Sequence, residues 1–136
     1  MRGYCVSVSS DGDLPEGPLL LGPLLRYVDA TTATIWVETA EAAEVVVEAG
    51  AVVASARTFA VHEHHYALVE VTGLPPGTPT PYRVLVGGEQ VWPSTHIAFA
   101  EFPPSVIPTL QPGKPLRMAF GSCRVSVSHD EAGNDE

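Results

Sequence analysis

The feature that most constrains this chain is its division into short apolar runs, each closed by a turn rich in glycine or proline. The runs are rich in valine, threonine and isoleucine, as in residues 32–39 (TATIWVET) and 44–49 (EVVVEA), and such side chains suit a pleated surface. In an extended chain Val45 and Val47 lie on one face, and Glu44, Val46 and Glu48 lie on the other. Residues 39–47 are the best helix candidate, but they have no caps and end in β-branched residues. The pattern therefore predicts strands.

Turn residues are frequent, with 12 glycines and 13 prolines in 136 residues. They separate about seven short strands between residues 17 and 100, a spacing typical of antiparallel β-sandwiches. Tyr82 and Val84 share one face of a late strand, and Gly87-Gly88 after it has the character of a two-residue hairpin turn. The predicted fold class is all-β, an antiparallel β-sandwich.

Composition divides the chain into four segments. Residues 1–16 are mixed and polar and read as a flexible leader, and residues 17–100 hold the predicted sandwich. Residues 101–115 (EFPPSVIPTLQPGKP) contain five prolines, which predicts an extended, semi-rigid connector whose apolar side chains pack against another part of the protein. Residues 116–136 open with an apolar run typical of the first strand of a second domain. We expect such a strand, left without neighbours, to favour self-association.

The charge balance narrows the classes of partner. The formal net charge is −9, with seven lysines and arginines in total, so no basic cluster exists for a nucleic acid or an anionic membrane surface. Two cysteines, Cys5 and Cys123, do not make a disulfide framework. No signal peptide is recognisable, which predicts a cytoplasmic protein, although an incomplete N-terminus would leave export open.

A turn late in the sandwich carries the first family resemblance. Residues 73–78 (GLPPGT), placed before Tyr82, resemble the corner that precedes a late strand in fibronectin type III domains. The resemblance implies a fibronectin type III or immunoglobulin-like sandwich. Thr80 stands where that family has its corner tyrosine, and Tyr82 lies two residues further on the same face. The family pattern also implies that Trp36 points into the core, whereas simple alternation would place Ile35 there instead.

The end of the chain carries a second, narrower resemblance. Residues 102–110 (FPPSVIPTL) and 116–124 (LRMAFGSCR) resemble the start of the catalytic domain in alkaline phosphatase D (PhoD-like) metallophosphatases, where a fibronectin-like domain comes first. The resemblance covers about residues 17–131. It implies that the chain is the N-terminal domain of such an enzyme, ending just after the first catalytic strand.

The resemblance implies one metal ligand in this chain, Cys123, which matches the cysteine that binds iron in a site that also holds calcium. The other family ligands, an Asp and a Tyr in a Gly-Asp-x-x-Tyr segment and further Asp, Asn and His residues, have no counterpart in the sequence. We therefore expect the chain alone to be inactive, with no catalytic residue and no cofactor of its own. From the residues alone, Cys123 could equally be a small buried apolar side chain.

Residues 62–65 (HEHH) form the other candidate cluster. On a strand His62 and His64 would share a face, and two such imidazoles could bind zinc or nickel. A third and fourth ligand are not evident, so a solvated start to a strand is the favoured interpretation, with His65 on the opposite face.

Two functions from different classes remain open. The first is a non-catalytic N-terminal domain that packs on the catalytic domain of a PhoD-like phosphatase or phosphodiesterase. The alternative is a free-standing fibronectin-like module that binds a protein or a glycan. An apolar patch on the outside of the sandwich would favour the first function.

Overall fold

A computed structural model of the chain describes residues 17–93 and 104–117. In these residues the backbone forms nine β-strands and no helix, so none of them builds a helix that could cross a membrane. The predicted leader and nearly all of residues 116–136 lie outside the described part. The strands are β1 (Leu19–Val28), β2 (Thr32–Thr39), β3 (Glu44–Ala49), β4 (Val52–Arg57), β5 (Phe59–Val61), β6 (His64–Thr72), β7 (Pro79–Val86), β8 (Glu89–Trp92) and β9 (Val106–Pro108).

The strands form two antiparallel sheets. The first sheet has the order β1-β2-β6-β5, and the second has the order β4-β3-β7-β8, with β9 paired to the start of β7. Two antiparallel sheets arranged in this way are consistent with an immunoglobulin-like or fibronectin type III-like sandwich. The predicted all-β fold class is confirmed.

The core lies between the two sheets and consists mostly of valine, isoleucine and alanine. Val45 and Val47 of β3 point into it, as the alternation predicts, and so does Val84 of β7. Val45 pairs with Val86, so the inward residues of neighbouring strands form continuous rows. Removal of this apolar surface from water, at about 25 cal/mol per Å², is the main force that holds the sheets together.

The expectation that Trp36 points into the core is wrong. Ile35 and Val37 are fully buried, and Trp36 between them lies on the outer face of the first sheet. The reason is the two-residue period of a strand: turning Trp36 inward would expel both neighbours from the core. The register agrees, because Ile35 pairs with the buried Val69 and Trp36 pairs with the exposed Leu68.

The turn between β7 and β8 follows the sequence prediction. Gly87 and Gly88 have φ angles of 58° and 89°, and Val86 pairs directly with Glu89 across them. Positive φ at both central residues is the requirement of a tight hairpin turn, and glycine meets it without steric cost.

The proline-rich segment packs on the sandwich. Its strand β9 pairs with residues 79–81 of β7, and Ile107 at the centre of β9 is fully buried. The position at the edge of a sheet suits a segment in which prolines cannot donate hydrogen bonds. Residue contacts group Leu14–Lys114 into one compact unit, and of a second unit only residues 115–117 belong to the described chain.

Candidate interaction surface

The outer face of the first sheet carries a row of apolar side chains across three strands. Leu24 of β1 pairs with Trp36 of β2, and Trp36 pairs with Leu68 of β6, so the three side chains lie side by side. Leu24 is 47% exposed and Leu68 is 51% exposed. Sheets that face water normally present polar residues there. We call the outward apolar and aromatic residues of this face the outer patch; its members are Leu21, Leu24, Tyr27, Trp36, Phe59, Tyr66 and Leu68.

Tyr66 holds the aromatic part of the outer patch together. Its ring stacks on Trp36 with centroids 5.5 Å apart and on His64 with centroids 6.0 Å apart. Phe59, its cross-strand neighbour on β5, lies 6.1 Å away at an angle of 48°. Tyr66 therefore has a stacked ring neighbour in both Trp36 and His64. Offset-stacked and tilted pairs are the arrangements that aromatic quadrupoles favour.

A buried carboxylate lies under one end of the outer patch. Glu38 faces outward on β2, between Leu21 and Tyr66 in the register, yet it is only 6% exposed. His64 covers it, with 2.5 Å between His64 Nδ1 and Glu38 Oε1. A carboxylate only accepts hydrogen bonds, so the imidazole N–H donates. This bond satisfies a group that would otherwise be costly to bury.

A turn at the border of the outer patch holds a second carboxylate. Asp29 accepts hydrogen bonds from the backbone N–H groups of Thr31 and Thr32 at 2.8 and 2.7 Å and from the Tyr27 hydroxyl at 3.1 Å. The two backbone donors hold the pKa of Asp29 below its usual value. The bond to Asp29, followed by its negative charge, raises the pKa of Tyr27.

The charges on this face are mainly negative. Glu70 points outward on β6, one step beyond Leu68, and pairs across the strands with Thr34. No described lysine or arginine forms an ion pair with Glu70. Arg26, the one cation of β1, falls in the irregularity between Leu25 and Tyr27, outside the paired register.

The second sheet is a weaker candidate for a binding site than the outer patch. An open depression on it is lined by Glu48, Gly50, Tyr82 and Arg83 among others, and Arg83 Nε donates to Glu48 Oε2 at 2.5 Å. Burial raises the pKa of Tyr82 here. A small-molecule binding site normally encloses most of its ligand, and this depression is too open to do so.

The candidate metal ligands are not brought together in the described chain. Cys123 lies outside the described residues. His62 sits in the turn before β6 with φ 54°, and His64 is engaged with Glu38. Across residues 17–93 and 104–117, no group of three or more His, Cys, Asp or Glu side chains is placed to hold a metal ion.

The outer patch was not predicted from the sequence, because Trp36 was expected to point into the core. The signal was present in the alternation of residues 32–39, where Ala33, Ile35 and Val37 share the opposite face. The alternation of β1 does not indicate that its leucines face outward, because irregularities in the β1–β2 register interrupt the two-residue period.

Residues 16–107 match the family model of a domain of unknown function (DUF7800). No curated protein and no solved structure matched significantly. The matched segment spans about two thirds of the chain and runs from just before β1 into β9. The chain therefore belongs to the DUF7800 domain family.

Proposed function

We propose that this chain is the non-catalytic N-terminal domain of a PhoD-like metallophosphatase or phosphodiesterase and packs on the catalytic domain of that enzyme. The single observation that carries the proposal is the outer patch, a contiguous apolar and aromatic surface on the first sheet. A surface of this kind marks an interaction site. The resemblance of residues 102–110 and 116–124 to the start of a PhoD-like catalytic domain supplies the identity of the partner.

The attachment of the proline-rich segment supports a linking role. The Thr109 hydroxyl donates to the Pro75 carbonyl oxygen at 2.6 Å and accepts from the Thr78 N–H at 3.0 Å. Leu110 donates to the Asp29 carbonyl at 2.9 Å and accepts from the Gly77 N–H at 3.1 Å. A segment held at several points fixes where the chain leaves the sandwich. A fixed point of departure would help the domain to keep one orientation relative to the catalytic domain.

The metal chemistry of the proposal belongs to the rest of the enzyme. Calcium takes about six to eight oxygen ligands, and one thiolate, that of Cys123, supplies none of them. In the parent protein iron and calcium would polarise a phosphate ester and activate water. The described residues would contribute the outer patch and the anchored proline-rich segment, and no metal ligand. The chain alone is therefore expected to be inactive.

The test begins with the gene. Reading in frame beyond codon 136 should reveal a Gly-Asp-x-x-Tyr segment within about a hundred codons, the span of a small domain. The longer protein should then bind iron, lose it in Cys123→Ser, and keep it in the matched control Cys5→Ser. A stop codon directly after Glu136, or iron binding that is indifferent to Cys123→Ser, would refute the enzyme assignment.

The outer patch also fits the second candidate, a free-standing binding module. The proline-rich segment pairs into the sandwich as β9, with Ile107 in the core, in either case. Such a module would bind a protein or a glycan through this surface.

A further inference from the structure

We propose that the outer patch binds a protein segment in which apolar side chains alternate with or are flanked by lysine or arginine. This inference deepens the proposed function, because it names the chemistry of the surface on which the domain would pack. It rests on that proposal only for the identity of the protein that carries the segment.

The centre of the outer patch sets the apolar requirement. Leu24, Trp36 and Leu68 form one row across β1, β2 and β6, and this row has no polar residue in it. Trp36 is held in place by the stack on Tyr66, so little side-chain freedom is lost when a ligand covers it. Rigid aromatic residues surrounded by smaller apolar ones are typical centres of protein interfaces.

The rim of the outer patch sets the charge requirement. Glu70 lies directly beyond Leu68 on the same face, and within the described chain it has no cationic partner. Asp29 adds a second carboxylate at the border, where Tyr27 donates to it. A lysine or arginine on the bound segment can pair with these carboxylates, and Arg can also stack on the exposed ring edges and faces that remain.

The same charges argue against a second copy of the chain as the occupant. A twofold dimer would bring the outer patches of both copies together, so the same negatively charged rim would be present on both sides of the interface. Each copy also carries a formal net charge of −9, which opposes association. A positively charged partner would instead be attracted both by the rim carboxylates and by the net negative charge of the chain.

The test uses the full 136-residue chain as bait for a display library of random peptides. We expect the recovered peptides to be rich in apolar residues and Lys or Arg. Leu68→Glu should weaken their binding roughly tenfold or more, because a charge would be buried against apolar side chains. Glu70→Lys should weaken it by a smaller factor, about threefold, and higher salt should do the same to the unmodified chain.

The matched control is Val53→Glu, which places the same charge at a 66% exposed valine on the second sheet. It should leave peptide binding unchanged. Thermal unfolding of each variant checks that it is folded, and Glu70→Lys keeps the test decisive if Leu68→Glu fails to fold. Peptides that are acidic, or that ignore both substitutions on the first sheet, would overturn the inference. So would sedimentation that detects a dimer abolished by Leu68→Glu, since the occupant would then be a second copy.

The two proposals fail separately, because the peptide selection involves no phosphatase domain. If the gene encodes no catalytic domain but the basic, apolar peptides bind at Leu68, the enzyme assignment is lost and the surface assignment stands. If the catalytic domain is present but no peptide depends on Leu68 or Glu70, the reverse holds.

Discussion

Trp36 of β2 stacks on Tyr66 of β6 with ring centroids 5.5 Å apart, on the face of the first sheet that points away from the core. The largest aromatic side chain of the strand thus faces outward, while Ile35 and Val37 beside it are completely buried. A tryptophan in this position contributes less to folding than to the character of the surface. The contrast between neighbouring positions can be measured.

Ile35→Ala and Trp36→Ala test which face of β2 is the core face. Ile35→Ala should lower the free energy of unfolding by about 2–5 kcal/mol, because it leaves a cavity between the sheets. Trp36→Ala should cost less, about 1–2 kcal/mol, since it removes a stacking contact and partly exposed surface. Urea denaturation of both variants measures the difference. An equal or larger cost for Trp36→Ala would mean that the tryptophan is a core residue.

The fold itself was predictable from the sequence because alternation and turn residues agree along most of the chain. Val45 and Val47 share one face of their strand, Val84 shares a face with Tyr82, and Gly87-Gly88 meets the backbone requirement of a hairpin. Trp36 departs from the family pattern because the two-residue period of the strand places Ile35 and Val37 in the core. Propensity and period are local properties, and for this sandwich they were sufficient.

Thr109→Val tests the clamp that holds the proline-rich segment to the corner before β7. It removes the hydroxyl that donates to the Pro75 carbonyl and accepts from the Thr78 N–H, so two part-buried hydrogen bonds are lost. We expect a loss of about 1–3 kcal/mol in the free energy of unfolding.

Thr80→Val is the matched control for this clamp. Thr80 is buried to the same extent, 6% exposed like Thr109, but its hydroxyl makes only a 3.5 Å contact with the Thr78 carbonyl. The control should cost clearly less than Thr109→Val in the same denaturation experiment. Equal costs would show that the Thr109 hydrogen bonds do not stabilise the corner.

The contacts of the clamp and the ring contacts of the outer patch could not be predicted from sequence, because they join segments that lie far apart in the chain. Thr109 meets Pro75 across 34 positions of the chain, and Trp36 meets Tyr66 across a strand pairing that only the register defines. Thr109 makes the hydrogen bonds at this corner with Pro75 and Thr78. Composition and alternation predicted the strands and turns. Contacts between distant segments form only when the sandwich assembles.

Acid should weaken the β1–β2 turn through Asp29. The backbone donors of Thr31 and Thr32 lower the pKa of Asp29 below 3.8, so in acid the folded protein binds this proton less readily than the unfolded chain does. The stabilisation is therefore present above pH 4 and is lost as pH falls through the lowered pKa of the folded state. A carboxyl-carbon NMR titration measures that pKa directly.

Two variants separate the causes of this shift. Asp29→Asn does not titrate there, so its stability relative to the unmodified chain should improve on acidification from pH 6 to below pH 3. Tyr27→Phe removes only the weakest of the hydrogen bonds that lower the pKa, so the pKa of Asp29 should remain lowered. A normal Asp29 pKa in Tyr27→Phe would contradict the assignment to the backbone N–H groups.

A double-mutant cycle on Glu38 and His64 tests whether the buried carboxylate depends on its imidazole partner. Glu38→Ala, His64→Ala and the double variant should give a coupling of about 1–2 kcal/mol, limited by the exposure of the histidine. The comparison pair is Glu48 and Arg83 on the second sheet, where the side chains are 30% and 52% exposed. That pair should couple by less than about 1 kcal/mol and should weaken as salt rises. The Glu38–His64 coupling should resist salt, because Glu38 is shielded from solvent beneath His64. A Glu38–His64 coupling that is both small and salt-sensitive would mean that the carboxylate is solvated and the outer patch is open at that end.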